Sequence, residues 1–472
     1  MPRYPSLLSA SEQGPHPVLR SENRDYHVCP APQFFGRIIH FSIPKKWIII
    51  HFLEMKLPSI EQYYQILDYN KPVWDLVRTY VHAREQLHAI DFLSARISCL
   101  VGEKGVGKTV LACQKALALA NHDPAKVFYI SLDDTLFAAE RMYDLAHLAQ
   151  ENGIDVVVFD EVHRYSDWKV DLKRIADRLS IRCIISGSSI LSFKDLGGLS
   201  RRMVMYQLQG MTLREYLNIA YNLQLVPVGL DDILSADRSK LREIKSLIEA
   251  ATERPLTRIF EEYVRRGYYA YGVPRISDTE FSAMLRQATE DTIAYEIVLA
   301  QTHSRPDMAR KLQAIFKAIA QNVPYTIDYE ALKGYAHISD IRTLKHYLAC
   351  LQDAGIIRTL DRQSLKSLRK PEKLYLGNSA LYYAYADLRP NSGSIRETFF
   401  LTSMALAGHD VRAHERHADF ALGPYTFEVG GPNKSKRQIK GETQAFIVND
   451  TAEPSADPKT VPLWAFGMLA PA

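Results

Sequence analysis

The sequence predicts an α/β protein. A parallel sheet with helices on both faces comes first, then a mostly helical region, then a smaller α/β part. Three observations predict it. A glycine-rich loop at residues 102–109 lies between an apolar run and a helical run. Short β-branched stretches alternate with amphipathic ones from residue 97 to residue 187. Strand-like segments return from residue 395 onward. Continuous apolar strands between helices mean a sheet buried on both faces.

Taken in order, residues 1–54 are punctuated by seven prolines, Pro2, Pro5, Pro15, Pro17, Pro30, Pro32 and Pro44, and hold no sustained period. The texture changes at Met55, and a helical segment starts near Ser59. Met55 is therefore expected to be the native start, with 1–54 a disordered or non-native extension. The strands are expected in RISCLVG, KVFYISL, IDVVVFD, IRCIISG and MVMYQLQ. The helices between them are KTVLACQKALALAN, LFAAERMYDLAHLAQENG and WKVDLKRIADRLS. Residues 226–322 read as helical. Residues 323–390 read as helix, helix, basic loop and strand, the order of a winged helix. Residues 391–472 form the last domain, and 55–225 the first.

Composition limits the function. With 472 residues, about two or three domains are expected at roughly 100–200 residues each. Hydrophobic content of 47% and charged content of 24% are those of an ordinary globular chain. A formal net charge of +4 permits nucleic-acid binding without arguing for it. The 5 cysteines form no C-x-x-C pair, which excludes a zinc ribbon or a disulfide framework and fits a reducing, cytoplasmic setting. No secretory signal peptide is expected. The apolar stretch at 37–53 is broken by Pro44, Lys45, Lys46 and His51. It falls short of the ~20 apolar residues a membrane span needs.

GEKGVGKT at 102–109 fits G-x-x-x-x-G-K-[ST] in its required strand–loop–helix setting. The backbone N–H groups of Gly102, Glu103, Lys104, Gly105, Val106, Gly107, Lys108, Thr109 and Val110 can curl around phosphates at a positive helix end. Lys108 would reach the β- and γ-phosphates of ATP, and the Thr109 hydroxyl would ligate Mg²⁺. Four apolar residues then lead to Asp160 and Glu161. Asp160 would hold Mg²⁺ through water and Glu161 would polarise the attacking water. At the next strand end, Ser186 and Ser188 are candidates to contact the γ-phosphate, or simply form a serine-rich strand end. Arg201 and Arg202 are candidates for an arginine finger acting on a neighbouring subunit, or a solvated pair.

These residues resemble the AAA-type P-loop ATPases of bacteria and archaea in which the ATPase domain precedes a winged-helix domain and a restriction-endonuclease-like domain. Residues 102–109 match Walker A and 156–161 match Walker B. IISGSS resembles the family's Gly-Ser-Ser strand end. LSRRMVMYQLQGMTLREYL resembles its Gly-Arg…Pro-Leu-Ser-x-x-Glu segment, with Arg201 the matching arginine and Ser200 in place of the glycine. YVRRGYYAYGVP resembles its Gly-Gly-x-Pro helix end.

In the helix-turn-helix stretch, Ala331, Leu332, Ile338, Leu344, Tyr347, Leu348 and Leu351 give one apolar face, with Ser339 an N-cap. DNA contact would involve Arg342, Lys345 and His346, with Arg362, Lys366, Arg369, Lys370 and Lys373 on phosphates. The same module could equally serve only for packing. In the last domain the resemblance implies a second metal site at Asp419 and Glu428, with Glu397 as a third acid. The family's lysine position holds Gly430, so an inactivated fold is expected, with Lys434 the one possible substitute. Function therefore divides three ways: an ATPase driving conformational change, a slow nucleotide-gated switch binding DNA or protein, or an ATP-regulated nuclease. A homo-oligomer is implied wherever Arg201 acts.

Overall fold

The computed structural model describes residues 60–80, 82–88, 96–187, 196–273, 276–301, 306–361, 373–385, 391–415, 418–434 and 436–471. The expected extension at 1–54, Ser188, and the wing cations Arg362, Lys366, Arg369 and Lys370 lie outside them.

Helix α1 (Ile60–Thr79) runs through Pro72 and buries Ile66, Asn70, Trp74 and Val77. Asn70 brackets Tyr129, donating to its carbonyl at 2.6 Å and accepting its N–H at 2.8 Å. That pins α1 to a strand of the first sheet. The sheet holds β1 (Ile97–Val101), β2 (Val127–Ser131), β3 (Val156–Asp160), β4 (Arg182–Gly187) and β5 (Met203–Gln207) in the order β2-β3-β4-β1-β5. Every pairing is parallel, the arrangement of a P-loop NTPase fold. Side-chain alternation assigns the two faces. Val156, Val158, Leu100 and Ile184 join the core under α2 (Lys108–Leu119). Val157, Phe159, Cys99 and Ile185 join the core under α3 (Met142–Glu151) and α4 (Trp168–Arg178).

One expected helix is shorter than its sequence pattern. The stretch beginning at Leu136 forms only a single tight turn, Thr135–Phe137, before α3 starts at Met142. The Asp134 carboxylate accepts the Leu136 N–H, and Arg141 is extended at the helix start, so the chain bends between the two.

The helical region comprises α5 (Leu213–Tyr221), α6 (Leu230–Leu234), α7 (Ser239–Thr252), α8 (Leu256–Glu262), α9 (Asp278–Asp291) and α10 (Met308–Ala320). Capping boxes Thr212/Glu215 and Ser277/Glu280 start α5 and α9. Both α8 and α9 run on into π-helical turns, Tyr263–Gly267 and Thr292–Glu296.

Next come β6 (Tyr325–Thr326), α11 (Tyr329–Tyr335), α12 (Ile341–Asp353), β7 (Ile357–Leu360) and β8 (Lys373–Leu376), with the antiparallel order β6-β8-β7. Asp340, not Ser339, caps α12, because its carboxylate accepts the Arg342 N–H. Ala331 faces solvent, and Ala336 takes its place in the buried face. Helices α13 (Ala380–Tyr385) and α14 (Ser392–Leu406) lead to a mixed sheet of β9 (Arg412–Ala413), β10 (Phe420–Leu422), β11 (Tyr425–Gly430), β12 (Ala445–Asn449) and β13 (Thr460–Pro462). Strands β9–β11 pair antiparallel and β11–β13 parallel. No described helix is long and apolar enough to cross a membrane. Cys99, Cys113, Cys183 and Cys350 are buried and take part in no disulfide.

Candidate nucleotide site

The register brings the two acidic-site strands together at the end of the sheet where the glycine loop leaves β1. Phe159 pairs with Ile185, which sets Asp160 beside Ser186. Gly102 and Gly105 have to be glycine: a Cβ at 102 would lie 2.1 Å from the Leu208 carbonyl oxygen, and Gly105 has φ +88° under the Tyr271 ring. The loop opens directly into α2, whose N-cap is Gly107, so its N–H groups and the helix end point the same way.

Asp160 is 4% exposed. Its Oδ2 accepts from Thr109 Oγ1 at 2.7 Å and from the Tyr129 hydroxyl at 2.9 Å, and its Oδ1 accepts from Ser186 Oγ. All three partners are hydroxyls, which orient the carboxylate without bringing a cation to it. Thr109 and Asp160 form a hard oxygen pair that fits Mg²⁺, which takes one or two protein oxygens and completes its shell with phosphates and water. Among the described residues no group of three or more His, Cys, Asp and Glu converges as a metal cage.

Lys108 is buried, its ammonium donating to the carbonyls of Gly102 and Glu103 at 2.9 and 3.0 Å. Glu161 sits at φ 54°, its N–H donating to Ser186 Oγ at 3.3 Å. Burial pushes the Glu161 carboxyl above its usual range, against the nearby Lys108 charge. A cavity of about 310 Å³ runs beside Lys108, Thr109 and Glu161, with an apolar wall of Met211, Ile219 and Val273.

One sequence expectation changes, that for Ser186. Ser186 is fully buried and bonded to Asp160, so it orients that carboxylate and cannot reach a γ-phosphate. Arg201 is exposed and precedes Met203, which pairs with Ile97 at the far end of the sheet from the loop. It cannot serve its own chain's site. Arg202 is tied to Asp177 at 2.6 Å and to the Gly198 carbonyl.

Several residues that line or brace the loop carried no such role in the sequence reading. Arg84, 5% exposed, forms an ion pair with Glu215 at 3.0 Å and donates to the Val106 carbonyl at 2.7 Å. Burial alone would raise the Glu215 carboxyl, but Arg84 and the N–H groups of Thr212 and Glu85 outweigh it and hold it low. Tyr268 and Tyr269 donate to Glu103 at 2.7 and 3.4 Å, and Ala270 N–H donates to the Gly105 carbonyl at 3.0 Å. Asn378, just after β8, donates to the Tyr269 hydroxyl at 2.9 Å. The only local hint was the Thr212-x-x-Glu215 capping box.

Residues 94–217 match a family model described as an AAA domain. The match spans β1 to β5 and the Walker residues, and with the strand order it makes this part an AAA-type ATPase-like domain. Residues 257–392 match a domain of unknown function, DUF8612. A curated relative, the uncharacterized protein MJ1637 of Methanocaldococcus jannaschii, is 26% identical over 175 residues, 35% of this chain and 36% of the relative. The chain thus spans little more than a third of that relative's length. Similar solved structures include Thermotoga maritima RuvB T158V, at 15% identity over 67% of this chain and 94% of that one, TM-score 0.25. AMPPCP-bound DnaA from Aquifex aeolicus aligns at 16% identity over 60% and 88%, TM-score 0.22.

A second polar cluster lies in the last sheet. Glu428 on β11 is fully buried, and Lys434 reaches its Oε1 at 2.5 Å. Asp419 accepts the Val429 N–H at 2.9 Å, and Glu397 accepts the Tyr375 hydroxyl at 2.7 Å. Burial raises all three carboxyls. Burial would lower the Lys434 ammonium, but the Glu428 hydrogen bond and the surrounding carboxylates raise it. Residues 432–433 form a turn, and it carries Lys434 inward to Glu428. A Cβ at Gly430 would lie 2.5 Å from Lys434 Cδ, so the glycine leaves the space through which the lysine folds inward.

Proposed function

We propose that the chain is an ATPase that binds ATP with Mg²⁺ at residues 102–110 and couples hydrolysis to movement of its helical and C-terminal parts. The observation that carries this reading is the 2.7 Å contact between Thr109 and Asp160, which joins the phosphate loop to the acidic strand end. Lys108 would leave the loop carbonyls for the β- and γ-phosphates, and Asp160, held by Tyr129 and Ser186, would present its charge to the metal. Mg²⁺, when bound, supplies charge neutralisation on the phosphates. Glu161 would take the proton of the attacking water, its raised pKa suiting a base. The apolar wall would exclude solvent from the reacting end. Arg201, just before the edge strand β5, would act on a neighbour's nucleotide, so the reading includes a homo-oligomer. Ser188 is kept as a phosphate-side candidate.

The domain divisions at residues 54, 225, 322 and 390, a winged helix at 323–390, a restriction-endonuclease-like fold at 391–472 and a cytoplasmic setting belong to the same proposal. The β6-α11-α12-β7-β8 order supports the winged helix, and exposed Arg342, Lys345 and His346 on α12 support DNA as its ligand. A nucleotide-gated switch with slow turnover is the rival output of the same site. Phosphate release from ATP, with and without duplex DNA, separates them. DNA-stimulated turnover supports the coupled ATPase; tight ATP binding with negligible turnover supports the switch; no ATP binding defeats both.

The Lys434–Glu428 contact favours one further reading, an ATP-regulated nuclease using Asp419, Glu428 and Lys434. Mg²⁺-dependent cleavage of DNA that disappears in Glu428→Ala would support it. Equal cleavage by both proteins would dismiss it.

A further inference from the structure

Two buried polar groups beside the nucleotide site have unused hydrogen-bonding capacity. His163, two residues after Glu161, has a side chain 9% exposed, and neither ring nitrogen makes a well-formed hydrogen bond. Its Nδ1 lies 3.3 Å from Glu161 Oε2. Glu296, in the π-helical turn that ends α9, is 6% exposed, and its Oε2 has no partner. Buried polar atoms are rarely left unpaired without a functional reason.

The two groups sense each other. Burial pushes the His163 imidazole down, while the Glu296 carboxylate opposes that, and Arg164, Lys108 and Asp133 add smaller influences. The same helix touches the phosphate loop directly, because Asp291 pairs with Lys104 at 3.7 Å. At its other side Arg286 Nε donates to the Ala384 carbonyl of α13 at 3.0 Å. Helix α9 therefore spans from the phosphate loop to the element that follows β8.

We infer that His163 is a positioning residue for Glu161, and that Glu296 ties this positioning to helix α9. The imidazole contacts the carboxylate that would accept the water's proton. A 3.3 Å approach without good alignment is a contact poised to tighten, as base contacts often do only when substrate is bound. A shift of α9 would move Glu296, change the hold on His163, and so change where the Glu161 carboxylate points. The position of the helical region would then set the hydrolysis step rather than nucleotide affinity.

This inference rests on the ATPase reading, and the test separates the two. ATP turnover is measured for the full chain and for His163→Ala, His163→Gln and Glu296→Gln. A general base contributes about 10²–10⁴-fold, so its misplacement in His163→Ala is expected to lower kcat at least tenfold, with KM for ATP within about twofold. Gln keeps a polar group at that reach, so His163→Gln recovers most of the rate even where the alanine variant folds poorly. Glu296→Gln lowers kcat severalfold, again at unchanged KM. Wild-type kcat in His163→Ala, or a loss in His163→Gln as large as in the alanine variant, overturns the inference alone. No turnover by the wild type overturns the hydrolysis reading and the inference together.

Discussion

Asp160 and Glu428 are both buried carboxylates on strands of sheets that carry parallel pairs, yet their surroundings oppose each other. Asp160 meets three neutral hydroxyls, from Thr109, Tyr129 and Ser186. Those donors stabilise a charge without cancelling it, so the carboxylate is prepared for an incoming cation. Glu428 already holds a cation of its own, Lys434 at 2.5 Å. Its charge is spent internally until the lysine moves. The contrast teaches that burial alone does not make a metal site. What matters is whether the buried charge is oriented or neutralised by its partners.

The largest expected effect lies at the first site. Lys108→Ala should abolish measurable ATP turnover, a loss of at least about 100-fold, because it removes the charge that meets the developing phosphate charge. Glu161→Gln should keep ATP binding and lose turnover by about 10²–10⁴-fold. Calorimetric titration with ATP beside phosphate release checks both. Unchanged turnover in Lys108→Ala would break the contrast by removing the site it starts from.

A structural effect comes next. Arg84 and Glu215 have side chains 5% and 1% exposed. Breaking such a pair from one side leaves an uncompensated buried charge and costs about 3–5 kcal/mol. Arg84→Ala should therefore lower the midpoint of denaturant unfolding sharply, and Arg84→Ala with Glu215→Gln should recover part of the loss. At the second site Lys434 is 28% exposed, so water can reach the exposed side of that pair. Lys434→Ala should cost about 1–3 kcal/mol, the range for stranding a buried polar group that is partly rehydrated. A loss in Lys434→Ala equal to that in Arg84→Ala would mean Glu428 is as tightly neutralised as Glu215.

The parts of this architecture that could be read in the sequence were those encoded locally. The 102–109 loop, Asp160, Glu161 and the strand runs around them declare themselves within a few residues, since glycine spacing and apolar runs have direct structural meaning. The bracing of the loop could not be read. Arg84 reaches Glu215 across 131 positions, and Tyr268 reaches Glu103 across 165. No periodicity links such partners. Thr212 and Glu215 have the spacing of a helix start, but nothing in it points to the arginine that Glu215 holds. Ser186 was visible as a polar strand end, but its direction depends on the β3–β4 register, which sequence does not print. Lys434 was visible as a cation, while the space that admits it exists only because Gly430 lacks a side chain.

Glu103 gives the smallest expected effect and sharpens the contrast from a third side. It lies in the phosphate loop, its carboxylate bonded by Tyr268 and Tyr269 and packed against Gly355. Burial raises its carboxyl from 4.5 to about 7, with the tyrosine bonds and the Arg358 and Lys108 charges opposing. A folded pKa above the unfolded one means the folded state binds the proton more tightly. The stabilising contribution is then fully present below about pH 4.5 and is lost as pH rises to about 7. Glu103→Gln removes the titration while keeping an oxygen acceptor for Tyr268. Without nucleotide, the variant and the wild type should melt together near pH 4.5. The variant should melt higher by pH 8, by on the order of a few degrees. A melting difference that stays flat across that window would mean the tyrosine bonds and nearby cations fully offset the burial of Glu103.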